Sequence, residues 1–339
     1  MNKTAFSTAL LLLLASCGAP SATDGVTKAS EKSSGPFGLI RQADIRVNTA
    51  AAFKNPGNVT VGSFIVGFAT YETISAKAGG SIKGGTAARN TLLGVDDATM
   101  RRITNEAHQN FIAGLKSGGY SVVDRAGLAA DPTFAATKSY PNPYEDSSGG
   151  FFGGKSVTKY FAPDGTREMK IFQGDIPGVL GGFAMNNPLP AAINYAKASG
   201  TKVLHVVYLL DFVNNDTSGG VLRWTTAVKV GQGVTVVPVA SKLGILADLG
   251  GLTSTGNGTI SLGQPITSSR QFASVSDSTT NVSLGVESAV NVLGFMSGTG
   301  MTQSRDYVFS ARPNDYAAAA ADALQQANGA LLGRMLSLK

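Results

Sequence analysis

The sequence is short of the residues that most chemistry needs: it has one cysteine, two histidines, one tryptophan and only 15% charged residues among 339. A lone cysteine cannot close an internal disulfide. Two histidines, His108 and His205, leave few candidates for Ser-His-Asp or Cys-His catalysis. His205 and Asp211 share strand parity, but six strand residues hold them about 20 Å apart. No Cys/His pair has the spacing of a zinc site, and Asn214, Asn215 and Asp216 lack the regular ligand spacing of a calcium loop. The charge of +6 is spread without a block or stripe, which argues against nucleic acid as a partner. Nowhere do the roughly 20 consecutive apolar residues of a transmembrane helix occur. These absences predict a chain without metal or cofactor and without enzymatic activity.

Two motif matches fail on context. Residues 149–156 (GGFFGGKS) fit the phosphate-loop pattern, but YPNPYEDSS precedes them where a buried strand is needed, and a strand-like run follows where a helix is needed. Residues 294–298 (GFMSG) place the serine one position late for a hydrolase elbow.

What is present begins at the amino terminus. Lys3 precedes an apolar run from Ala5 to Ala15, the layout of a secretory signal and too short to span a bilayer. The run ends in Leu14-Ala15-Ser16-Cys17-Gly18. This resembles the lipobox of bacterial lipoproteins, which implies export, alkylation of the Cys17 thiol with diacylglycerol carrying chains such as palmitate, and then cleavage before Cys17. Lipidation also gives the only cysteine a purpose. Gly18 in place of an aspartate implies the outer membrane, with the domain facing the periplasm. The expected organisation is a signal peptide over 1–16, a lipidated cysteine and flexible Ser/Thr/Lys/Gly/Pro tether over 17–43, and one domain over 44–339. That domain carries a Gly/Pro-rich insertion at about 131–182.

Within the domain, residues 61–71 (VGSFIVGFATY) read as a strand, and 76–86 as a glycine-rich loop. Met100, Ile103, Ala107, Phe111 and Leu115 recur at helical spacing, with Asp97 as N-cap, Gly118-Gly119 as the stop and His108 on the polar side. Residues 120–124 (YSVVD) give a second strand. A hairpin is predicted from runs 157–161 and 168–172 around Pro163-Asp164-Gly165. A short helix over 189–198 leads into 203–213 (VLHVVYLLDFV), whose two apolar faces predict a central strand. Residues 221–230, 234–240 and 259–264 read as further strands. The closing helix, from Asp315, carries a stripe of Tyr316, Ala319, Ala320, Ala323, Ala327, Leu331 and Met335. The predicted fold class is α/β (α+β): a mixed, largely antiparallel sheet with packed helices and extra β-hairpins.

This order of elements resembles the periplasmic α/β domain of curli-export pore lipoproteins and of TolB-like amino-terminal domains, over residues 60–125 and 190–265. The resemblance implies an envelope lipoprotein that assembles with itself or with another envelope protein, as a scaffold or export accessory. Lys155, Lys159, Asp164, Arg167, Glu168 and Lys170 make the predicted hairpin a poor lipid face, so the resemblance does not extend to pore formation. The alternative is a lipid-anchored binding protein for a small molecule or glycan, using Tyr140, Tyr144, Phe151, Phe152 and Tyr160 of the aromatic middle region.

Overall fold

The computed structural model describes residues 45–55, 57–77, 85–147, 154–166, 168–176, 179, 186–218, 226–248, 257–279, 282–284, 293–297 and 302–339, together with the short strands Val26–Thr27, Ser33–Ser34 and Ile40–Arg41. The fold is α/β, a mixed and largely antiparallel sheet with helices packed on it and additional hairpins. Its centre is the strand Lys202–Ser218, the segment whose sequence is apolar on both faces. Over its first half this strand pairs in parallel with Asn58–Lys77 on one side and antiparallel with Lys242–Leu246 on the other. The sheet continues outward through Asn257–Leu262 to Ile45–Asn48.

Leu204, Val206, Tyr208, Leu210 and Phe212 of the central strand face one core with the helices Asp97–Ser117 and Pro313–Leu336. All seven residues of the expected stripe in the final helix are buried there. Asn328 fixes that helix in place: its Oδ1 accepts from Tyr208 Oη at 2.7 Å, and its Nδ2 donates to Ala107 O at 3.0 Å. Fully burying such Leu, Val or Phe side chains contributes about 1.5–3 kcal/mol each, so this core dominates stability. Val203 and Val207 face the opposite side, under the helix Pro188–Ser199, the short helices Ala126–Ala130 and Pro132–Ala135, and the chain over 168–179.

Past these layers the strands lengthen. Leu210 to Ser218 pairs with Thr226–Val236, which also pairs with Leu293–Ser297. Tyr71 to Lys77 pairs with Gly85–Leu93, which pairs in parallel with Thr302–Ala311. The register puts the ends of these strands at Lys77, Ser218 and Ser297 together at one end of the sheet. The connecting residues 78–84, 219–225 and 298–301 lie outside the described ones, as do Leu222 and Trp224 of the expected 221–230 strand.

Several sequence expectations are corrected. The helix over Asp97–Ser117 is capped by Asp96, whose side chain accepts from Thr99 N at 2.8 Å, one residue before the expected cap. The 157–172 hairpin does not form. Ser156–Phe161 pairs with Asn58–Lys77 and with Tyr144–Asp146 instead. Met169, Ile171 and Phe172 turn under the sheet because they are apolar on both parities, and burying them outweighs a solvent-facing ladder. Of the expected 234–240 strand, Val234 to Val236 end Thr226–Val236, and Pro238–Ala240 is a 3-10 turn because proline cannot donate to a ladder.

Candidate functional site

The site is a break in sheet pairing. On one edge of Asn58–Lys77, Ser121–Val122 pairs only with Asn58 and Val59, and Ser156–Phe161 pairs only from Val66 onward. Between them, residues 60–65 have no strand partner on that edge among the described residues. The break coincides with a β-bulge: the register against the central strand shifts between Leu204 and His205, leaving Gly62 as the extra residue. A Cβ at Gly62 would come within 2.6 Å of Val203 Cγ1, so the bulge needs a glycine. The bulge lets Val61 and Phe64 face the same core, and it turns the Gly62 carbonyl toward the gap.

A cleft of about 480 Å³ fills this gap, a size within the range of small-molecule sites. One wall is the helix Asp97–Ser117, which presents His108, Ile112 and Lys116 at successive i, i+4 positions. A second is the chain leaving Ser121–Val122, ending in Asp124 and Arg125. A third is formed by Ala162 to Thr166 with Met169 and Lys170. His108 is therefore on the flank of the apolar stripe and not on the solvent face: its ring meets Phe64 edge-on at 5.1 Å, and burial lowers its pKa.

The charges around the cleft are unequally engaged. Lys170 is 4% exposed, and its Nζ donates to Ala135 O, Thr137 O and Ser139 Oγ at 3.2, 2.6 and 2.8 Å. Burial lowers its pKa against the opposing pull of Glu168. Asp164 accepts from Asn105 Nδ2 at 2.6 Å and lies 3.6 Å from Arg101. Asp124 accepts from Ala126 N at 2.6 Å, starting the short helix. Arg125 donates Nε to Gly62 O at 3.0 Å and lies over the Phe134 ring, 5.9 Å from its centroid. Among the described residues no carboxylate comes within 4.0 Å of its guanidinium, so the terminal fork is in no ion pair and Glu168 acts on it only through space. Burial pulls its pKa down, yet a guanidinium remains a cation.

Of the residues singled out from sequence, three are brought together. Tyr140 and Tyr144 meet edge-on at 5.1 Å, and Tyr144 stacks on Tyr160 at 6.3 Å. Tyr140 and Tyr160 are buried in a core cluster with Met169 and Ile171, and none of the three lines the cleft. Phe151, Phe152 and Cys17 lie outside the described residues. Of the cleft residues, His108 was weighed only as a catalytic histidine and Asp164 and Lys170 only as hairpin charges, while Ile112, Lys116 and Arg125 passed unnoticed, although one signal existed: Arg125 follows the carboxyl end of a strand, where α/β sheets place ligand-binding loops.

A second cluster lies deeper. His205 Nδ1 is 2.9 Å from Asp175 Oδ1, Lys242 Nζ is 3.3 Å from the same oxygen, and the imidazole stacks on Phe172 at 4.9 Å. Lys242 also donates to Gly174 O. Burial alone would raise Asp175, but His205 and Lys242 together hold it below the usual carboxyl range. The pair resembles the base-and-orienter half of a hydrolytic triad. His205 Nε2, however, is buried without a partner against Gly244, and no hydroxyl or thiol reaches it among the described residues. It ties the 172–176 segment to the sheet. Among the described residues no group of three His, Cys, Asp or Glu could hold a metal ion, and no helix is long and apolar enough to cross a membrane.

The chain matches no protein family model, no curated protein and no solved structure.

Proposed function

We propose that the protein is a lipoprotein, anchored by Cys17 to the outer membrane, whose α/β domain binds a small molecule at the cleft beside residues 60–65 and performs no chemistry on it. The observation that carries this reading is the cleft itself: a cavity of ligand size at an interrupted strand edge, with polar donors not committed elsewhere. The described surface supports it. Its exposed large hydrophobics are only Leu93 at 51% and Val123 at 36%, far from the contiguous apolar patch that an assembly face requires.

Assembly with copies of itself or with an envelope partner is the second reading, favoured by the three long strand pairs that end together near Lys77, Ser218 and Ser297. Two measurements test the proposal. Metabolic labelling with a fatty acid is expected to mark the wild-type chain and to vanish completely in Cys17→Ala; persistent labelling would refute the anchor. Light scattering of the detergent-solubilised chain after gel filtration is expected to give one protein per particle. A ring-sized oligomer would replace binding by assembly.

A further inference from the structure

We infer that the cleft takes a small organic anion, a carboxylate or a phosphate ester, whose charged group sits at Arg125 and whose compact apolar body lies against Phe64, Ile112 and Val122. This rests on the reading of the cleft as a binding site and adds the class of its ligand. Each carboxylate that lines the cleft already has a partner: Asp164 is held by Arg101 and Asn105, and Asp124 accepts from Ala126 N. The Lys170 ammonium is turned away into the carbonyls of Ala135 and Thr137. What remains for a ligand is the Arg125 fork, the Lys116 ammonium and the His108 ring; none of them makes an ion pair within 4.0 Å among the described residues, and Glu168 acts on Arg125 only through space while Ser139 and Lys170 hold it.

Arg125 is also pre-positioned. Its Nε is fixed on the Gly62 carbonyl and its plane is held over Phe134, so an incoming anion meets a guanidinium that has already lost much of its rotamer freedom. A planar fork suits the two oxygens of a carboxylate or phosphate. Ile112 and Val122 are partly buried against the core beside it and give an apolar body something to cover. A cation would meet Arg125 and Lys116 beside carboxylates already engaged by Arg101, Asn105 and Ala126 N, and a neutral ligand would leave the fork unmatched.

The test is calorimetric titration of the full lipidated chain in nanodiscs, with empty nanodiscs as blank, using phenylacetate, phenyl phosphate, benzamide and benzylamine as probes. Both acids are expected to bind about tenfold or more tighter than benzamide, with no heat from benzylamine. The tighter acid identifies the head group. Arg125→Gln is expected to weaken the acids about tenfold or more, with partial recovery in Arg125→Lys. Ile112→Trp, which fills the cleft, should abolish binding of every probe, and a thermal melt checks that each variant is folded. If benzamide binds as tightly as the acids, or Arg125→Gln changes nothing while Ile112→Trp abolishes binding, the anionic class is overturned and the cleft remains a binding site. If Ile112→Trp leaves acid binding intact, both readings fail. Absence of heat from both acids overturns the inference whatever benzamide does.

Discussion

Replacing Gly244 by alanine is expected to destabilise the protein by about 3 kcal/mol or more, among the largest single-site losses available in this chain. Gly244 pairs directly with His205 across the sheet, and its missing side chain is what the imidazole occupies. A Cβ there would overlap the ring at Nε2. The ring cannot swing aside, because Nδ1 is held on Asp175 and one face is stacked on Phe172. Chemical denaturation of Gly244→Ala, His205→Ala and the double variant checks this. His205→Ala alone leaves Asp175 with Lys242 as its only charged partner and is itself destabilising. In the double variant the added methyl enters space the ring has vacated, so the two losses should fall short of additive by about 2 kcal/mol. Strict additivity would mean that the two residues do not share that space.

The second large effect concerns the paired carboxylates of Glu72 and Asp211, buried where the long strands leave the helical layers. Burial, then the neighbouring Glu72 charge, push Asp211 well above the usual carboxyl range. Asn90 Nδ2 donates to Glu72 at 3.2 Å, and Val213 N donates to Asp211 at 3.1 Å. Tyr316 faces the pair from the final helix, its hydroxyl buried without a partner and its own pKa raised by burial and by Asp211. A carboxyl group whose pKa is raised by folding stabilises the native state fully below its unfolded value of about 4, and that contribution is lost as pH rises through the folded value. Wild-type stability should therefore decline from mildly acidic toward alkaline pH. Asp211→Asn, whose amide can donate to Glu72 without a charge, should flatten that decline and gain on the order of 1 kcal/mol at pH 8. Asp175 acts in the opposite sense, since its depressed pKa contributes stability that is lost only as pH falls. Urea melts between pH 5 and pH 9 separate the two; an Asp211→Asn chain with the wild-type slope would show that the raised Asp211 carboxyl is not the source of the decline.

Where sequence and fold agree, local periodicity was enough. The doubly apolar 203–213 run became the centre of the sheet, and the small-residue stripe from Tyr316 to Met335 became the buried face of the last helix. Where they disagree, the deciding contact was distant. Gly85–Leu93 (GTAARNTLL) looks polar, yet Thr86, Ala88 and Asn90 are buried because the strand pairs on both sides, one partner more than 200 residues away. His205 looked isolated because its partners, Asp175 and Gly244, stand 30 positions before it and 39 after it. The cleft was the least legible feature, since it is made by pairing that stops at Val59 and resumes at Val66, and no residue pattern encodes a missing partner. Tyr140, Tyr144 and Tyr160 drew attention by type, and their rings pack against one another.

A ligand in the cleft and a lipid on Cys17 are the two halves of the proposed function, and the ligand is the half that a mass reads at once. Native mass spectrometry of the lipidated chain, purified from its own envelope beside Ile112→Trp, tests it most directly. A discrete small-molecule increment is expected on the wild-type mass and not on the variant; no increment on either protein, or the same increment on both, would rule out a ligand in the cleft.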